Sequence, residues 1–380
     1  MKKSYLLLSL SALALASCSS DETVNAPAAP GIDFSAAVEG SSRATSTTTA
    51  TISSFAVTAV KSGLSADNVY FKDHTLTRQG EGWDGNGTYP WPEEELSFFA
   101  FSPATAGKST VEQNRQGVFS TIKGYHVESD VLNQTDLLVA ENAMSNATNK
   151  TKTNLTFEHA LSRVEVKATH TNGLMHVEVF GIKIGNMNST GDFTFPILHG
   201  ENRLNLSASQ ANRVWTNLKT PQDYVIDVYE QHMYSGATYD FTERAEKGAI
   251  FVLPQDLSKS GAWSGTAKKD GAYIAVKCKI WLSKGYGDGK YGSRYHTLLW
   301  PVAPQSESET VEARWMCTPL NVNFQPGKSY VITLNLTGCG KTEPTGSTGG
   351  EVISKGDMYF DVTLKDWTPA SGGSLFMPAQ

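Results

Sequence analysis

Few residues in this 380-residue chain have the types and spacing that catalysis or metal binding requires. Gly340-Lys341-Thr342 ends like a phosphate-binding loop, but such a loop needs a glycine at position 335, where Asn335 stands, and a helix afterwards. Trp83-Asp84-Gly85-Asn86-Gly87 and Gly287-Asp288-Gly289-Lys290 offer oxygens as calcium loops do, yet neither has the closing bidentate acid, and hairpin turns account for both. No Gly-x-Ser-x-Gly elbow is present to support serine hydrolysis. Glycosidase carboxylates are paired by the fold rather than by spacing, and Glu93-Glu94-Glu95 reads as a charged turn before a buried strand. The eight histidines follow neither His-Glu-x-x-His nor His-x-x-x-His, so a zinc site is not expected. His159, without a nucleophile or second histidine nearby, reads as fixing a turn or domain interface. Cys278, Cys317 and Cys339 lack Cys-x-x-Cys spacing and read as small buried hydrophobes, with a Cys317–Cys339 bridge left open. The expectation is a chain with no enzyme activity, no cofactor and no metal.

Two positions instead invite chemistry done to the chain. Met1-Lys2-Lys3 is positively charged, Tyr5 to Ala16 is apolar, and Leu15-Ala16-Ser17 precedes Cys18. That is a secretory signal, too short to span a bilayer. A cysteine directly after Leu-Ala-Ser is similar to bacterial lipoprotein signals, in which Cys18 would become the N-terminus and carry a diacylglycerol. The chain would then touch the membrane only through its lipid. The second position is Arg43, a basic residue alone in Gly40-Ser41-Ser42-Arg43-Ala44-Thr45, the small, polar kind of segment that proteases cut.

The elements around these positions read as strands. Charged residues are 18% and the net charge is −6, which argues against a nucleic-acid partner. Ile32, Phe34, Ala36 and Val38 alternate and mark a strand with one buried face. Phe55, Val57 and Ala59 repeat the pattern, and Leu96 to Phe101 is apolar on both faces, as a central strand must be. Further alternation runs through Val164 to Ala168, Met175 to Val179, Ile182 and Ile184, Ile250 to Leu253, Tyr273 to Leu282, Tyr330 to Leu336 and Met358 to Leu364. Short helices are expected at most near 129–138 or 239–247. Many short strands with turn signals between them mean β-sandwiches. The polar cluster Asn146–Thr153 suggests a boundary: signal 1–17, tether and pro-segment 18–43, an N-terminal sandwich 44–150 and a C-terminal sandwich 151–380. Aromatic residues are dense between 273 and 300 (Trp281, Tyr286, Tyr291, Tyr295, Trp300), where core packing is favoured over an exposed sugar platform.

A set of segments then resembles one family. Ser42-Arg43-Ala44, Trp91-Pro92, Leu96 to Ala104, Gln134 to Ala140, Leu155 to Val164 with Phe157-Glu158-His159-Ala160-Leu161, Val252-Leu253-Pro254-Gln255, Pro326 to Leu334 and Lys365-Asp366-Trp367 stand in an order similar to the fimbrillin-like proteins of Bacteroidales, the subunits of type V pili. The resemblance implies an all-β protein of two transthyretin-like sandwiches in tandem after a lipoprotein signal. It implies an outer-membrane lipoprotein at the cell surface, with acidic Asp21 and Glu22 placed as in surface-export signals. Cleavage after Arg43, before Ala44, by an arginine-specific or trypsin-like protease would release the strand of Ile32, Phe34, Ala36 and Val38. A strand from another pilus subunit would replace it, and 368–380, with Leu375, Phe376 and Met377, would be the donor. The role would be stalk or tip of a fimbria serving adhesion. The alternative is a non-polymerising surface lipoprotein that binds a glycan or host receptor.

Overall fold

The computed structural model describes residues 31–38, 52–61, 66–85, 87, 89–114, 117–145, 152–195, 214–242, 249–258, 271–283, 296–301, 312–337, 341–342 and 359–366. Along the chain the strands are β1 (Phe34–Val38), β2 (Ser54–Lys61), β3 (Val69–Gln79), β4 (Gly82–Asp84), β5 (Leu96–Ser102), β6 (Ser109–Asn114), β7 (Gly117–His126), β8 (Leu138–Ser145), β9 (Thr153–His159) and β10 (Ser162–Thr169). They continue with β11 (Met175–Thr194), β12 (Val214–Met233), β13 (Thr238–Asp240), β14 (Ile250–Val252), β15 (Tyr273–Ser283), β16 (His296–Trp300), β17 (Arg314–Pro319), β18 (Lys328–Asn335), β19 (Lys341–Thr342) and β20 (Tyr359–Asp366). Among the described residues the helical content is the short 3-10 turn Ala66–Asn68 and a single further 3-10 residue, Thr242. The protein is all-β, as its alternating pattern requires.

Three sheets form. The first has the order β1-β9-β8-β5-β2-β3-β4, the second β13-β10-β18-β20 with β14 on β10, and the third β19-β17-β15-β11-β7-β6 with β12 and β16 added. β5 lies between β2 and β8, and both its faces are buried. Phe98 and Ala100 enter a core on one side of the first sheet, while Phe99 and Phe101 enter the larger core shared with the other sheets. β2 does the same, so the alternation of Phe55, Val57 and Ala59 is real but both faces are filled.

Two elements cross the division expected near 146–153. β9 stays in the first sheet, beside β8 and β1, and β7 leaves it to pair with β11 in the third. The crossing from β9 to β10 falls on Phe157-Glu158-His159-Ala160-Leu161. There Ala160 N–H donates to Leu137 O (2.8 Å), Gly327 N–H to Leu161 O (2.9 Å) and the Trp215 indole to Ala160 O (2.9 Å). His159 Nδ1 pairs with Asp136, so this histidine holds the joint.

Met175–Val179 and Ile182–Ile184 read as two segments, but β11 is one 20-residue strand with a register shift between Val179 and Gly181. The bulge moves the buried set from odd positions to Ile182 and Ile184, and a second shift between Ile184 and Met187 returns it to odd positions, without ending the strand. Its partner β12 is equally long. No helix forms at 129–138: Val131–Asn133 make a turn, Asp130 bridges to Val225, and the Gln134 amide bonds Glu128 O and Phe251 O at 3.0 and 3.1 Å. Within the expected loop 338–350, Lys341 and Thr342 pair with β17.

Candidate functional site

The first sheet curls until β1, at one end of its order, approaches β4 at the other. β1 is thus a stave that helps to close an apolar interior. Its side chains sit as their alternation requires: Ile32, Phe34 and Val38 are buried, Ala36 is partly buried and Ala37 is exposed. Phe34 is 2% exposed and meets Phe98 and Phe55 edge-on, at ring separations of 5.5 and 6.1 Å. Phe55 in turn contacts Trp83 at 4.7 Å and Phe157 at 5.5 Å. Burying three such side chains contributes roughly 1.5–3 kcal/mol each.

The backbone attachment is lighter. β1 runs parallel to β9, from Phe34 opposite Thr153 to Val38 opposite Phe157. Parallel pairing is slightly weaker per residue than antiparallel, and β1 has five residues. Thr153 N–H donates to Asp33 O and Ile32 N–H to Tyr89 O, both at 2.8 Å. Ser35 Oγ bonds Asn154, and Lys152 reaches Asp33 across 3.5 Å. The strand is held by its side chains more than by its ladder.

Between β1 and the β3–β4 hairpin lies a cavity of about 330 Å³, lined by Ile32, Phe34, Phe71, His74, Trp83 and Tyr89 among others. The His74 imidazole is held below its ordinary pKa by burial and meets Tyr89 at 5.0 Å. Asp33 and Asp84 also line the space, so its walls are part aromatic and part polar.

A sequence profile of the fimbrillin-like family matches residues 42–367. The chain belongs to the fimbrillin-like family. No curated protein matches it. Among solved structures, a candidate cell adhesion protein from Parabacteroides distasonis is similar at 11% identity and a TM-score of 0.46, covering 89% of this chain and 100% of the other. One from Bacteroides eggerthii is 11% identical with a TM-score of 0.45, covering 90% and 97%. The tip fimbrial protein Mfa3 from Porphyromonas gingivalis, with C-terminal truncation, is 10% identical with a TM-score of 0.35, covering 83% and 94%. Family membership points to a structural, surface-exposed pilus protein associated with adhesion and with other pilus subunits.

Several fimbrillin-like segments prove to be structural clamps. The Gln134 side chain also accepts from Phe251 N–H at 2.8 Å. Gln255 bonds Asn188 and Leu253 through its side chain, and its carbonyl accepts from Phe324 N–H at 3.0 Å. Gly327 turns the chain at φ +66°, where a Cβ would lie 3.1 Å from His159 O.

Of the other sequence candidates, Cys18, Arg43, Ala44, Leu375, Phe376, Met377, Tyr286, Tyr291, Tyr295 and Cys339 lie outside the described residues. Trp300 is fully buried, as the core reading of the aromatic cluster requires. Cys278 and Cys317 are buried too, and burial pushes the Cys278 thiol far up. Lys341 and Thr342 lie in a strand pair, where a phosphate loop would open a helix. The histidines lack zinc-motif spacing, yet His176 and Glu178 on β11 converge with His232 on β12. The helical spacings searched for cannot find such a group, because in a strand neighbours on one face are two residues apart.

Proposed function

We propose that this chain is a structural subunit, stalk or tip, of a type V fimbria, assembled by donor-strand exchange. The single observation that carries the reading is β1: a short, parallel end strand whose side chains fill the interior of the first sheet. Its only covalent route to β2 passes through Arg43. The precursor is exported as a lipoprotein on Cys18, and β1 occupies its own groove. An arginine-specific or trypsin-like protease cuts between Arg43 and Ala44, and β1 becomes a separate peptide that can leave.

Its departure bares the β9 edge and the pockets of Ile32, Phe34 and Val38. Unpaired backbone groups and exposed apolar surface are both costly in water. A strand of the next subunit restores both, its backbone pairing with β9 and its alternate side chains setting register. The donor is the C-terminal segment with Leu375, Phe376 and Met377. Because each subunit gives at one place and receives at another, the contact does not close and a filament grows. A tip subunit only receives.

Protein sheared from native cells and run on a gel with and without boiling tests the proposal. A heat-sensitive ladder whose units begin at Ala44 is expected of a stalk. A single band that still begins at Cys18 would overturn processing and exchange, and would favour the non-polymerising lipoprotein.

A further inference from the structure

The outer face of the third sheet carries a side-chain cluster on β11 and β12, in a different sheet from β1 and β9. β11 presents His176 and Glu178 on the same face, two residues apart, and β12 brings His232 directly opposite Glu178 in the antiparallel register. Val177, between the first two, points into the core and is fully buried. His176 Nε2 lies 3.0 Å from His232 Nδ1 and 3.5 Å from Glu178 Oε1, and His232 Nδ1 lies 3.9 Å from the same oxygen. We propose that His176, Glu178 and His232 form a binding site for a divalent transition-metal ion of the zinc class.

The geometry is close to what such an ion needs. Zinc binds imidazole nitrogen and carboxylate oxygen at about 2.0–2.2 Å in a tetrahedron, which places donor atoms about 3.3–3.5 Å apart. The three separations here bracket that distance, so shifts of a few tenths of an ångström complete the set. His232 has freedom to make them, its side chain being 40% exposed. Two imidazoles and one carboxylate favour zinc, copper, nickel or cobalt over calcium or magnesium, which take oxygen ligands. Three protein donors leave a coordination position for water or for a donor from another molecule.

The surroundings favour oriented rings. The Trp281 indole N–H, on the neighbouring β15 opposite His176, is buried and has no well-aligned acceptor among the described residues. On the far side of His232, Nε2 faces Glu230 Oε1 at 3.9 Å, in the position of the carboxylates that orient metal-bound histidines. The nearest cation on the adjoining strand, Lys279, sits opposite Glu178 but carries its ammonium over the Phe180 ring, 5.2 Å from the centroid. The Tyr234 ring stands 6.4 Å from that of His176.

The test uses the full chain without a histidine tag. Calorimetric titration with zinc chloride is expected to show one saturable ion per chain. Titration with cobalt chloride should give the intense visible bands of a tetrahedral nitrogen–oxygen site. His232→Ala, at a half-exposed position, should weaken zinc at least about tenfold, more than removal of an outer partner does. Glu178→Gln should weaken it as well. Glu230→Gln should give a smaller loss, and His126→Ala none. No saturable uptake, or uptake unchanged in both His232→Ala and Glu178→Gln, would overturn the proposal. Should His232→Ala unfold, the cobalt spectrum of His232→Asn decides: bands undiminished from the parent chain would also overturn it.

Discussion

β1 and β20 are both end strands in the order of their sheets, yet they are held in opposite ways. β1 pairs in parallel through five residues and sends Ile32, Phe34 and Val38 into a core. β20 pairs antiparallel with β18 through eight, from Lys328 opposite Asp366 to Asn335 opposite Tyr359, yet Val362 is 37% and Leu364 63% exposed. The strand with the weaker ladder carries the larger apolar burial. A ladder can form with any strand that reaches the edge, whereas pockets accept only side chains that fit. An attachment built on pockets is therefore both stable and replaceable by a strand of similar pattern.

The comparison can be broken first at Phe34. Phe34→Ala in the uncut chain should cost about 3–5 kcal/mol, as expected for a buried phenylalanine, measured as a loss in urea unfolding free energy. A loss below 1 kcal/mol would mean that the ladder holds β1 after all. The joint between the first and second sheets gives the next largest effect. Gly327→Ala places a Cβ at positive φ, which costs roughly 1–2 kcal/mol, and the added atom also crowds His159 O. A single unfolding transition should shift as a whole; two separated transitions would show that the sheets unfold independently.

A smaller effect concerns pH, at the opposite end of the second sheet from β20. Asp240 on β13 is opposed by burial but held below its ordinary pKa by bonds from Lys167, at 2.8 Å, and Thr242. Because its folded pKa is depressed, its contribution is present above the unfolded value near 3.9 and is lost as pH falls through the folded value. Asp240→Asn should therefore flatten the acid limb of a urea-midpoint profile below about pH 4. An unchanged limb would remove Asp240 from the account. Smallest is Leu364→Ser. At so exposed a position it should stay within about 0.5 kcal/mol; a larger loss would show that this face of β20 is covered in solution.

The sequence was most readable where one physical rule acts alone. β1 and β2 show their inward faces by alternation, and Leu96 to Phe101 announces a strand buried on both sides. The Phe157-Glu158-His159-Ala160-Leu161 segment was recognisable as a unit, and in the fold it bears the passage between two sheets, which constrains every residue in it. β12 was not legible as a strand, because Pro221 and the polar residues around it obscure the alternation of Tyr224, Ile226 and Val228. β11 looked like two segments because its bulge shifts the phase of the pattern. His176-x-Glu178 was visible as letters, but its partner lies across a strand pair whose register the sequence does not display.

By itself, then, the sequence determined the all-β class, the inward face of each regular strand and the family. These follow from local periodicity and from ordered segments, which do not depend on which strand lies beside which. Only the tertiary structure decided that β1 joins β9 in parallel, that β6 and β7 leave for the third sheet while β8 and β9 return to the first, and that two histidines meet at one glutamate. Pairing across tens or hundreds of residues is settled by the competition of all strands for neighbours, and backbone hydrogen bonds carry no residue labels.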